Sequence, residues 1–140
     1  MYHTSYSPQE TRQLAREILR RLGTKHIILL QGELGSGKTV LAQALAEELG
    51  VKDTVNSPTY VLMKVYPLND KRFKRFVHVD LYRIDYDQRL DDLGLSDYLQ
   101  DEESLVVVEW PERIIGSWPY DSFWVRFYFG DKSDIRVIDF

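Results

Sequence analysis

The residues best suited to chemistry lie in one glycine-rich octapeptide, Gly32-Glu33-Leu34-Gly35-Ser36-Gly37-Lys38-Thr39. Glycines let successive backbone N–H groups curl around anionic oxygens, and the spacing Gly-x-x-x-x-Gly-Lys-Thr is that of a phosphate-binding loop. Lys38 would reach the β- and γ-phosphates of a nucleotide, and Thr39 would offer its hydroxyl to Mg²⁺. The octapeptide therefore predicts a site for nucleotide phosphates.

The segments on either side of the octapeptide are the ones that such a loop needs. His26–Gln31 is a short apolar run bounded by turn signals, which is typical of a strand buried on both faces. Leu41, Leu45 and Leu49 recur every four residues and predict a helix that ends at Gly50. The helix would direct the positive end of its dipole at the phosphates. This strand–loop–helix order argues against a chance glycine-rich turn.

Two acidic residues follow apolar runs and are candidates for the metal and for hydrolysis. Glu109 closes Leu105–Val108, and Asp80 closes Phe76–Val79. Folds with a phosphate loop place acids at strand ends, beside the metal and the attacking water. Glu109 is the first candidate, and Asp80 could serve the same metal directly or through a water. Either acid could instead merely cap its strand.

Three further residues have weaker local signals. Thr59, in Ser57-Pro58-Thr59-Tyr60, could act as a switch threonine that senses Mg²⁺ and the γ-phosphate, although the spacing alone describes a turn. Trp110 is either an aromatic contact beside the nucleotide or a strand-end packing residue, and packing is the safer interpretation. His78 lies inside an apolar strand, so we expect a hydrogen-bonded core histidine rather than a ligand or base.

The remaining pattern predicts a small α/β domain. Ser7-Pro8-Gln9-Glu10 has the composition of a helix start, and that helix should run to Leu22. The parallel core should be extended by antiparallel hairpins. We expect a phosphate-loop domain with a mixed, mainly parallel central sheet plus antiparallel hairpin strands. The further predicted segments are a hairpin of Thr59–Tyr66 with Phe76–Tyr82, short helices within 85–100, and a terminal hairpin of Phe123–Phe129 with Ile135–Phe140.

Composition sets the class of protein. A chain of 140 residues fits one domain, spanning 1–140, and 44% hydrophobic with 29% charged residues is typical of a globular protein. The absence of cysteine excludes disulfides and thiolate metal sites. We see no leader pattern and no apolar run long enough to span a bilayer, so we expect a cytoplasmic protein with no membrane partner.

The net charge of −4 argues against a general affinity for nucleic acid, because binding to phosphates needs a surplus of Lys and Arg. One local exception is the run Lys71-Arg72-Phe73-Lys74-Arg75. Such a run is usually a solvated hairpin tip, but it could also contact RNA or an acidic partner surface.

Four segments occur in an order that resembles the TsaE (YjeE) family: Gly32–Thr39, Ser57–Tyr60, His78–Arg83 and Glu109–Glu112. The resemblance covers nearly the whole chain. A phosphate loop alone is generic, whereas the Asp-Leu-Tyr-Arg and Glu-Trp-Pro sequences within the last two segments are far more specific. This family is the bacterial ATPase component of the system that makes threonylcarbamoyladenosine beside the anticodon of tRNA.

The resemblance implies an ATP- and Mg²⁺-dependent enzyme that associates with the TsaB–TsaD pair. Hydrolysis would permit repeated rounds of modification, with low activity expected in the isolated chain and with tRNA contacted indirectly or through the basic hairpin. Asp80 and Glu109 would serve the metal and hydrolysis, Thr59 would act as a switch-like threonine, and Trp110 would lie next to the nucleotide. The residues implied to hold nucleotide or Mg²⁺ within the loop are Gly35, Ser36, Gly37, Lys38, Thr39 and Val40.

The chain departs from the family pattern at three loop positions. The family often has Asp, Ala and a second Thr where this chain has Glu33, Ser36 and Val40. Val40 lacks a hydroxyl that could contact the α-phosphate, but its backbone N–H remains available, so nucleotide affinity rather than function is affected.

Two other classes of function remain open from the sequence. In one, the chain is a nucleotide-regulated binding module in which ATP orders Thr59 and its loop for docking. In the other, it is a small-molecule kinase. No arginine-rich lid segment follows the acidic strand, which argues against a kinase, although Arg113 and Arg126 keep that reading open.

Overall fold

The structure, a computed structural model, describes residues 1–53, 55, 62–85, 87–132 and 135–140. The predicted switch segment Ser57–Tyr60, with Thr59, lies outside the described residues. In chain order the elements are β1 (Tyr2–Ser5), α1 (Pro8–Arg21), β2 (Ile27–Gln31), α2 (Lys38–Glu48), β3 (Met63–Pro67), β4 (Arg75–Asp80), a 3₁₀ helix (Leu90–Leu93), α3 (Ser96–Gln100), β5 (Ser104–Glu109), a second 3₁₀ helix (Pro111–Arg113), β6 (Phe123–Phe129) and β7 (Arg136–Asp139).

The strands form one seven-stranded sheet in the order β1-β7-β6-β2-β5-β4-β3. The central strands β6, β2, β5 and β4 run parallel. At one side of the sheet, β3 pairs antiparallel with β4. At the other side, β7 pairs antiparallel with β6, and β1 pairs antiparallel with β7. The predicted fold class is confirmed. Because the central strands are parallel, their carboxyl ends meet at a single edge of the sheet, where Glu109 lies opposite both Leu30 and Asp80.

The sheet has an apolar core on each face. Every residue of β5 is buried, as are Ile27–Leu30 of β2, so these strands read as continuous apolar runs. Ile28, Leu30 and Val107 pack with α1 and α2, whereas Leu29, Val106 and Val108 pack with Leu95 and Trp118 on the other face. Alternate residues of each strand therefore supply the two cores.

The first helix begins where the sequence predicts. The Ser7 Oγ accepts a hydrogen bond from the Glu10 N–H at 3.2 Å, and Pro8 occupies the first turn. The Glu10 Oε2 accepts from the Tyr6 N–H at 2.8 Å, one residue before the position that an ideal capping box uses. The helix ends at Arg21, and Gly23 adopts a left-handed φ of 61°. The predicted end at Leu22 differs by one residue.

One strand of the sheet was not foreseen in the sequence. β1 was not predicted, because its polar sequence has no periodic apolar face; pairing with β7 gives it strand conformation. At the end of β6, Phe129 is 43% exposed and lies under the Arg136 guanidinium. The burial of β6 ends at Phe127.

The basic run Lys71–Arg75 is anchored to the rest of the domain. Phe73 is buried, and the Arg72 guanidinium donates to the carbonyls of Gly23 and Lys25 at 2.5 and 2.6 Å. Arg75 pairs with Asp101. The tip is therefore only partly the solvated basic segment that its composition suggests.

Among the described helices, none combines the length and the apolar character needed to cross a bilayer.

Candidate nucleotide site

The octapeptide joins β2 to α2, and its glycines meet specific backbone demands. Gly35 and Gly37 adopt φ of 77° and 105°, values that favour glycine. At Gly32, an added Cβ would lie 2.8 Å from both the Phe127 Cβ and the Ser36 Oγ, so a side chain has no room there. Gly37 also precedes α2, whose first backbone N–H groups have no partner within the helix. The loop thus presents backbone donors to an anion.

Lys38 lies inside the loop rather than extending into solvent. Its Nζ donates to the carbonyls of Gly32 and Glu33 at 2.5 and 2.8 Å, and lies 3.4 Å from the Ser36 Oγ. The Trp110 ring covers the ammonium, with its centroid 4.0 Å from the Nζ. The loop carbonyls and the Trp110 ring together hold the cation inside the loop.

Burial lowers the pKa of Lys38, and this effect is only partly opposed by the surrounding acids Glu109, Glu112, Asp80 and Glu33. The ammonium is therefore incompletely solvated, with carboxylates on several sides. An anion that reaches it meets little competing water, and this strengthens the electrostatic attraction.

The predicted hydroxyl and the first predicted acid are in direct contact. The Thr39 Oγ1 donates to the Glu109 Oε1 at 2.7 Å. Thr39 lies in the first turn of α2, and Glu109 is the last residue of β5 and is 2% exposed. The topology thus brings together two residues separated by 70 positions in sequence.

The second predicted acid lies on the adjacent strand. Asp80 ends β4 in register with Glu109, and its Oδ1 accepts from the Tyr82 N–H at 3.0 Å. Within the described part of the chain, no group of three or more His, Cys, Asp or Glu residues could hold a metal ion. The oxygens of Thr39, Glu109 and Asp80 are nevertheless the hard donors that Mg²⁺ takes, one or two at a time, alongside substrate phosphates and water. The donor chemistry fits Mg²⁺.

Trp110 reaches the loop through an unusual backbone conformation. Its φ is 62°, and it is the only non-glycine residue with positive φ among the described residues. Its N–H donates to the Leu30 carbonyl at 3.2 Å, which ties the turn after β5 to β2. Tyr82 packs on the ring at a centroid distance of 5.0 Å, and the Arg113 guanidinium lies 5.2 Å from it. Trp110 is therefore packed, as its strand-end position suggests, and also contacts the lysine of the loop.

Three residues that were not selected as site residues also reach this region. The predicted core histidine, His78, is fully buried, and its Nε2 lies 2.6 Å from the Glu109 Oε2. The Arg136 Nη2 donates to the Gly35 carbonyl at 2.9 Å. The Glu112 carboxylate lies near the Gly32 backbone N–H, which acts to lower the pKa of that carboxyl.

Burial raises the pKa of Glu112, while hydrogen bonds from the backbone N–H groups of Glu112 and Gly32 and the charges of Lys38 and Arg113 act in the opposite direction. Glu112 was visible in sequence only as the end of the Glu-Trp-Pro-Glu segment. Arg136 had no local signal, because it lies 101 positions from Gly35.

Two other residues predicted to bind phosphate lie in the loop and at the start of α2. Ser36 is buried in the loop, and Val40 lies in the first turn of α2 with its side chain half-buried. Thr59 belongs to the segment outside the described residues. The structure thus brings together the loop, both acids and Trp110 at the carboxyl edge of the parallel strands.

Comparisons with known proteins place the chain in a family. The family described as "Threonylcarbamoyl adenosine biosynthesis protein TsaE" matches residues 5–136. Two similar relatives, both named "tRNA threonylcarbamoyladenosine biosynthesis protein TsaE", come from Streptomyces coelicolor and Haemophilus influenzae. The first is 39% identical over 88% of this chain and 83% of its own length. The second is 34% identical over 96% and 88%, respectively.

A solved structure, YdiB of Bacillus subtilis, is similar with a TM-score of 0.71 and 26% identity, covering 99% of this chain and 82% of its own. The likeness therefore extends over the whole sheet and is not confined to the phosphate loop. On the extent of the family match and the identities of the relatives, this chain belongs to the TsaE family.

Proposed function

We propose that this chain is a Mg²⁺-dependent ATPase that supports threonylcarbamoyladenosine modification of tRNA next to the anticodon, acting in the cytoplasm with TsaB–TsaD partners. The proposed ATPase activity is argued mainly from the hydrogen bond between Thr39 and Glu109. This bond lies beside the phosphate loop that contains Lys38. The family and the names of its relatives support the place in tRNA modification.

Phosphate binding would be the work of the loop and the start of α2. The backbone N–H groups of Gly35, Ser36, Gly37, Lys38, Thr39 and Val40 are the donors we assign to the nucleotide phosphates. The Ser36 N–H donates to the Glu33 carbonyl at 3.1 Å and would exchange this partner for a phosphate oxygen. Lys38 neutralises charge on the β- and γ-phosphates, exchanging its carbonyl partners for phosphate oxygens. Because the transferred phosphoryl group gains little covalent help from the protein, this positioning and neutralisation supply most of the catalysis.

The Thr39 hydroxyl and the Glu109 and Asp80 carboxylates would hold Mg²⁺. When bound, the ion neutralises charge on the phosphate oxygens. Glu109 is also well placed to orient the attacking water, because it is buried at the end of β5 and held in contact with Thr39. Asp80 has the neighbouring register position and acts at the same centre, directly or through a water.

Aromatic side chains would shield the reacting phosphates from bulk water. Trp110 covers Lys38, and Tyr82 and Arg113 pack against Trp110. A lower local dielectric strengthens the attraction between Lys38 and the phosphates. We place Trp110 next to the nucleotide for this reason, and we assign to Thr59 the sensing of Mg²⁺ and the γ-phosphate.

Partner proteins would be needed for substantial turnover. We expect hydrolysis to permit repeated rounds of modification by TsaB–TsaD rather than to drive the carbamoyl transfer itself. Contact with tRNA would be indirect, or would pass through the exposed Lys71 and Lys74 of the basic hairpin tip.

The test is phosphate release from ATP by the purified chain, alone and with TsaB, TsaD and tRNA. We expect stimulation by the partners and a loss of about 100-fold or more in Lys38→Ala and in Glu109→Ala, because each removes a group that stabilises or positions the reacting phosphate. Lys132→Ala, which removes an equal charge in an exposed turn, is the control and should behave as wild type.

Other outcomes would favour the other classes of function. Robust turnover without partners, or phosphoryl transfer to a metabolite, would point to a kinase. Unchanged multiple-turnover modification with a non-hydrolysable ATP analogue would exclude a need for hydrolysis and support a binding module.

A further inference from the structure

His78 is a fully buried polar residue next to the proposed centre, and the mechanism above gives it no role. It lies in β4 in register with Val107 of β5. Because alternate residues of a strand share a face, His78 lies on the same side of the sheet as Val107, Glu109 and Asp80. Thr39 of α2 contacts Glu109 on this side. The histidine is thus built into the wall of the site.

The two carboxylate oxygens of Glu109 have different partners. The Oε1 accepts from the Thr39 hydroxyl at 2.7 Å, and the Oε2 lies 2.6 Å from the His78 Nε2. Both Glu109 and His78 are at most 2% exposed, so water contributes little to satisfying this pair. The carboxylate is held from two sides.

The hydrogen-bond network assigns the tautomer of His78. An ionised carboxylate can only accept hydrogen bonds, so the proton lies on the Nε2. The Nδ1 is buried with no hydrogen-bond partner among the described residues. As an unprotonated acceptor, it avoids leaving a donor N–H unpaired in the core. The consistent state is one Nε2–H donor directed at Glu109.

Glu109 needs such a partner because its last torsion is soft. The terminal torsion of a glutamate is broad, so the hydrogen bond from Thr39 alone does not fix the plane of the carboxylate. A second bond from a residue in a buried central strand does fix it. The imidazole itself is fully buried, and Phe76 and Val107, which share its face of β4 and β5, are buried as well, so it has little room to move.

We propose that His78 is a positioning residue for the ATPase centre: its Nε2–H holds the Glu109 Oε2, so that the Oε1 stays directed at Thr39 and at the phosphates beyond it. This inference rests on the proposed function, which assigns hydrolysis to Glu109. His78 itself touches neither nucleotide nor water in this scheme and acts only through Glu109.

The test compares His78→Leu with His78→Gln. Leucine fills similar space without a donor, whereas the glutamine amide can still donate to Glu109. We expect His78→Leu to lower kcat by about 10- to 100-fold, the usual cost of removing a residue that orients a metal-site ligand. The Kd for ATP measured in EDTA should stay close to wild type. His78→Gln should restore most of kcat.

A merely structural role would give a different result. Both variants would then lower the denaturation midpoint while the kcat of the folded fraction stayed at the wild-type value, and that result would overturn the proposal. An equal loss in Kd without Mg²⁺ would also overturn it, because the effect would then lie in the phosphate loop. If His78→Leu does not fold, His78→Asn replaces it, since its shorter amide cannot reach Glu109.

Two measurements do not depend on turnover. The ¹⁵N shifts of the imidazole should show the Nε2–H tautomer in wild type, and an Nδ1–H tautomer would contradict the proposal. By calorimetry, His78→Leu should reduce the gain in ATP affinity that Mg²⁺ provides, but it should change nothing further in a Glu109→Ala background. An effect that persists in that background would show that His78 does not act through Glu109.

These readouts separate the two proposals. If wild type releases no phosphate under any condition, the proposed ATPase function fails, while the tautomer and the calorimetric comparison still decide whether His78 positions Glu109. If wild type hydrolyses ATP and His78→Leu does so equally well, the positioning role alone is wrong.

Discussion

Single residues give the phosphate loop an unusual balance of charge. Lys38 is surrounded by the carboxylates of Glu109, Glu112 and Asp80, and Glu33 adds a further negative charge. Phosphate groups brought to this place would meet several like charges as well as one cation. We therefore expect the site to prefer ATP accompanied by Mg²⁺ over ATP alone, because opposite charges lower the cost of bringing anions together.

Glu112 provides the test of this charge balance. Glu112→Gln removes one negative charge near Lys38 while retaining an oxygen that can accept from the Gly32 N–H. We expect ATP affinity to rise by about 2- to 5-fold, corresponding to about 0.5–1 kcal/mol for a partly exposed charge. The measurement is the Kd by calorimetry at low salt.

The matched control for this change is Glu102→Gln. It alters the net charge equally, but it lies in the exposed segment before β5, at the opposite edge of the sheet. Its Kd should equal that of wild type. An equal gain in both variants would show that overall charge, and not the position of Glu112, controls affinity.

At the level of elements, the phosphate loop is supported by more than β2 and α2. Phe127 of β6 leaves no room for a side chain at Gly32, and its ring lies 3.7 Å from where a Cβ on Gly37 would stand. Arg136 of β7 donates to the Gly35 carbonyl at the loop apex. The C-terminal hairpin thus packs against one side of the loop, while Trp110 packs on the other. We infer that β6 and β7 help to fix the shape of the phosphate cradle.

Arg136→Gln should weaken nucleotide binding with little change in stability. The substitution shortens the side chain and removes the charged donor to Gly35, a bond on the exposed side of the loop. A hydrogen bond of this kind contributes about 1 kcal/mol, so we expect a loss of about 5-fold in ATP affinity. Calorimetry and thermal denaturation together measure both effects.

Arg12→Gln, on the exposed face of α1, serves as the control for Arg136→Gln because it removes the same charge far from the loop. If both variants lose affinity equally, the effect is one of long-range charge. If Arg136→Gln keeps wild-type affinity, the β7 contact has no role in shaping the loop.

In the molecule as a whole, the apolar cores that stabilise the fold lie apart from the sheet edge proposed to carry the chemistry. The four parallel strands share two apolar cores, and their carboxyl ends gather Gln31, Asp80 and Glu109 at one edge. Leu105 is completely buried near the amino end of β5, four residues before Glu109. At the rise of an extended strand, this places it about 13 Å from the site.

Leu105→Ala should therefore lower stability without altering the site. We expect the free energy of unfolding to fall by about 2–5 kcal/mol, because the change removes buried methyl groups and leaves a cavity. Urea denaturation measures the loss. The ATP Kd, measured where the variant remains folded, should match wild type.

Val65→Ala is the comparison for Leu105→Ala, because Val65 lies on the edge strand β3 and is 42% exposed. It should cost far less. A Leu105→Ala variant that is folded but has a weaker Kd for ATP would contradict the separation between the stabilising core and the site.

The sequence alone determined the features that are built from neighbouring residues. The loop, its flanking strand and helix, and the Ser7 cap are contiguous, so local backbone preferences and periodicity specify them. The parallel core was also predictable, because β5 is an uninterrupted apolar run. The assignment of Asp80 and Glu109 to one edge then follows from parallel strands.

Tertiary structure decided the contacts between distant residues. The pairing of β1 with β7, the bond from Arg136 to Gly35 and the contact of His78 with Glu109 each depend on strand order and register. The placement of Trp110 over Lys38 depends on one left-handed residue after β5. No local pattern encodes these contacts, because they form only when strands far apart in sequence pair and bury their shared faces.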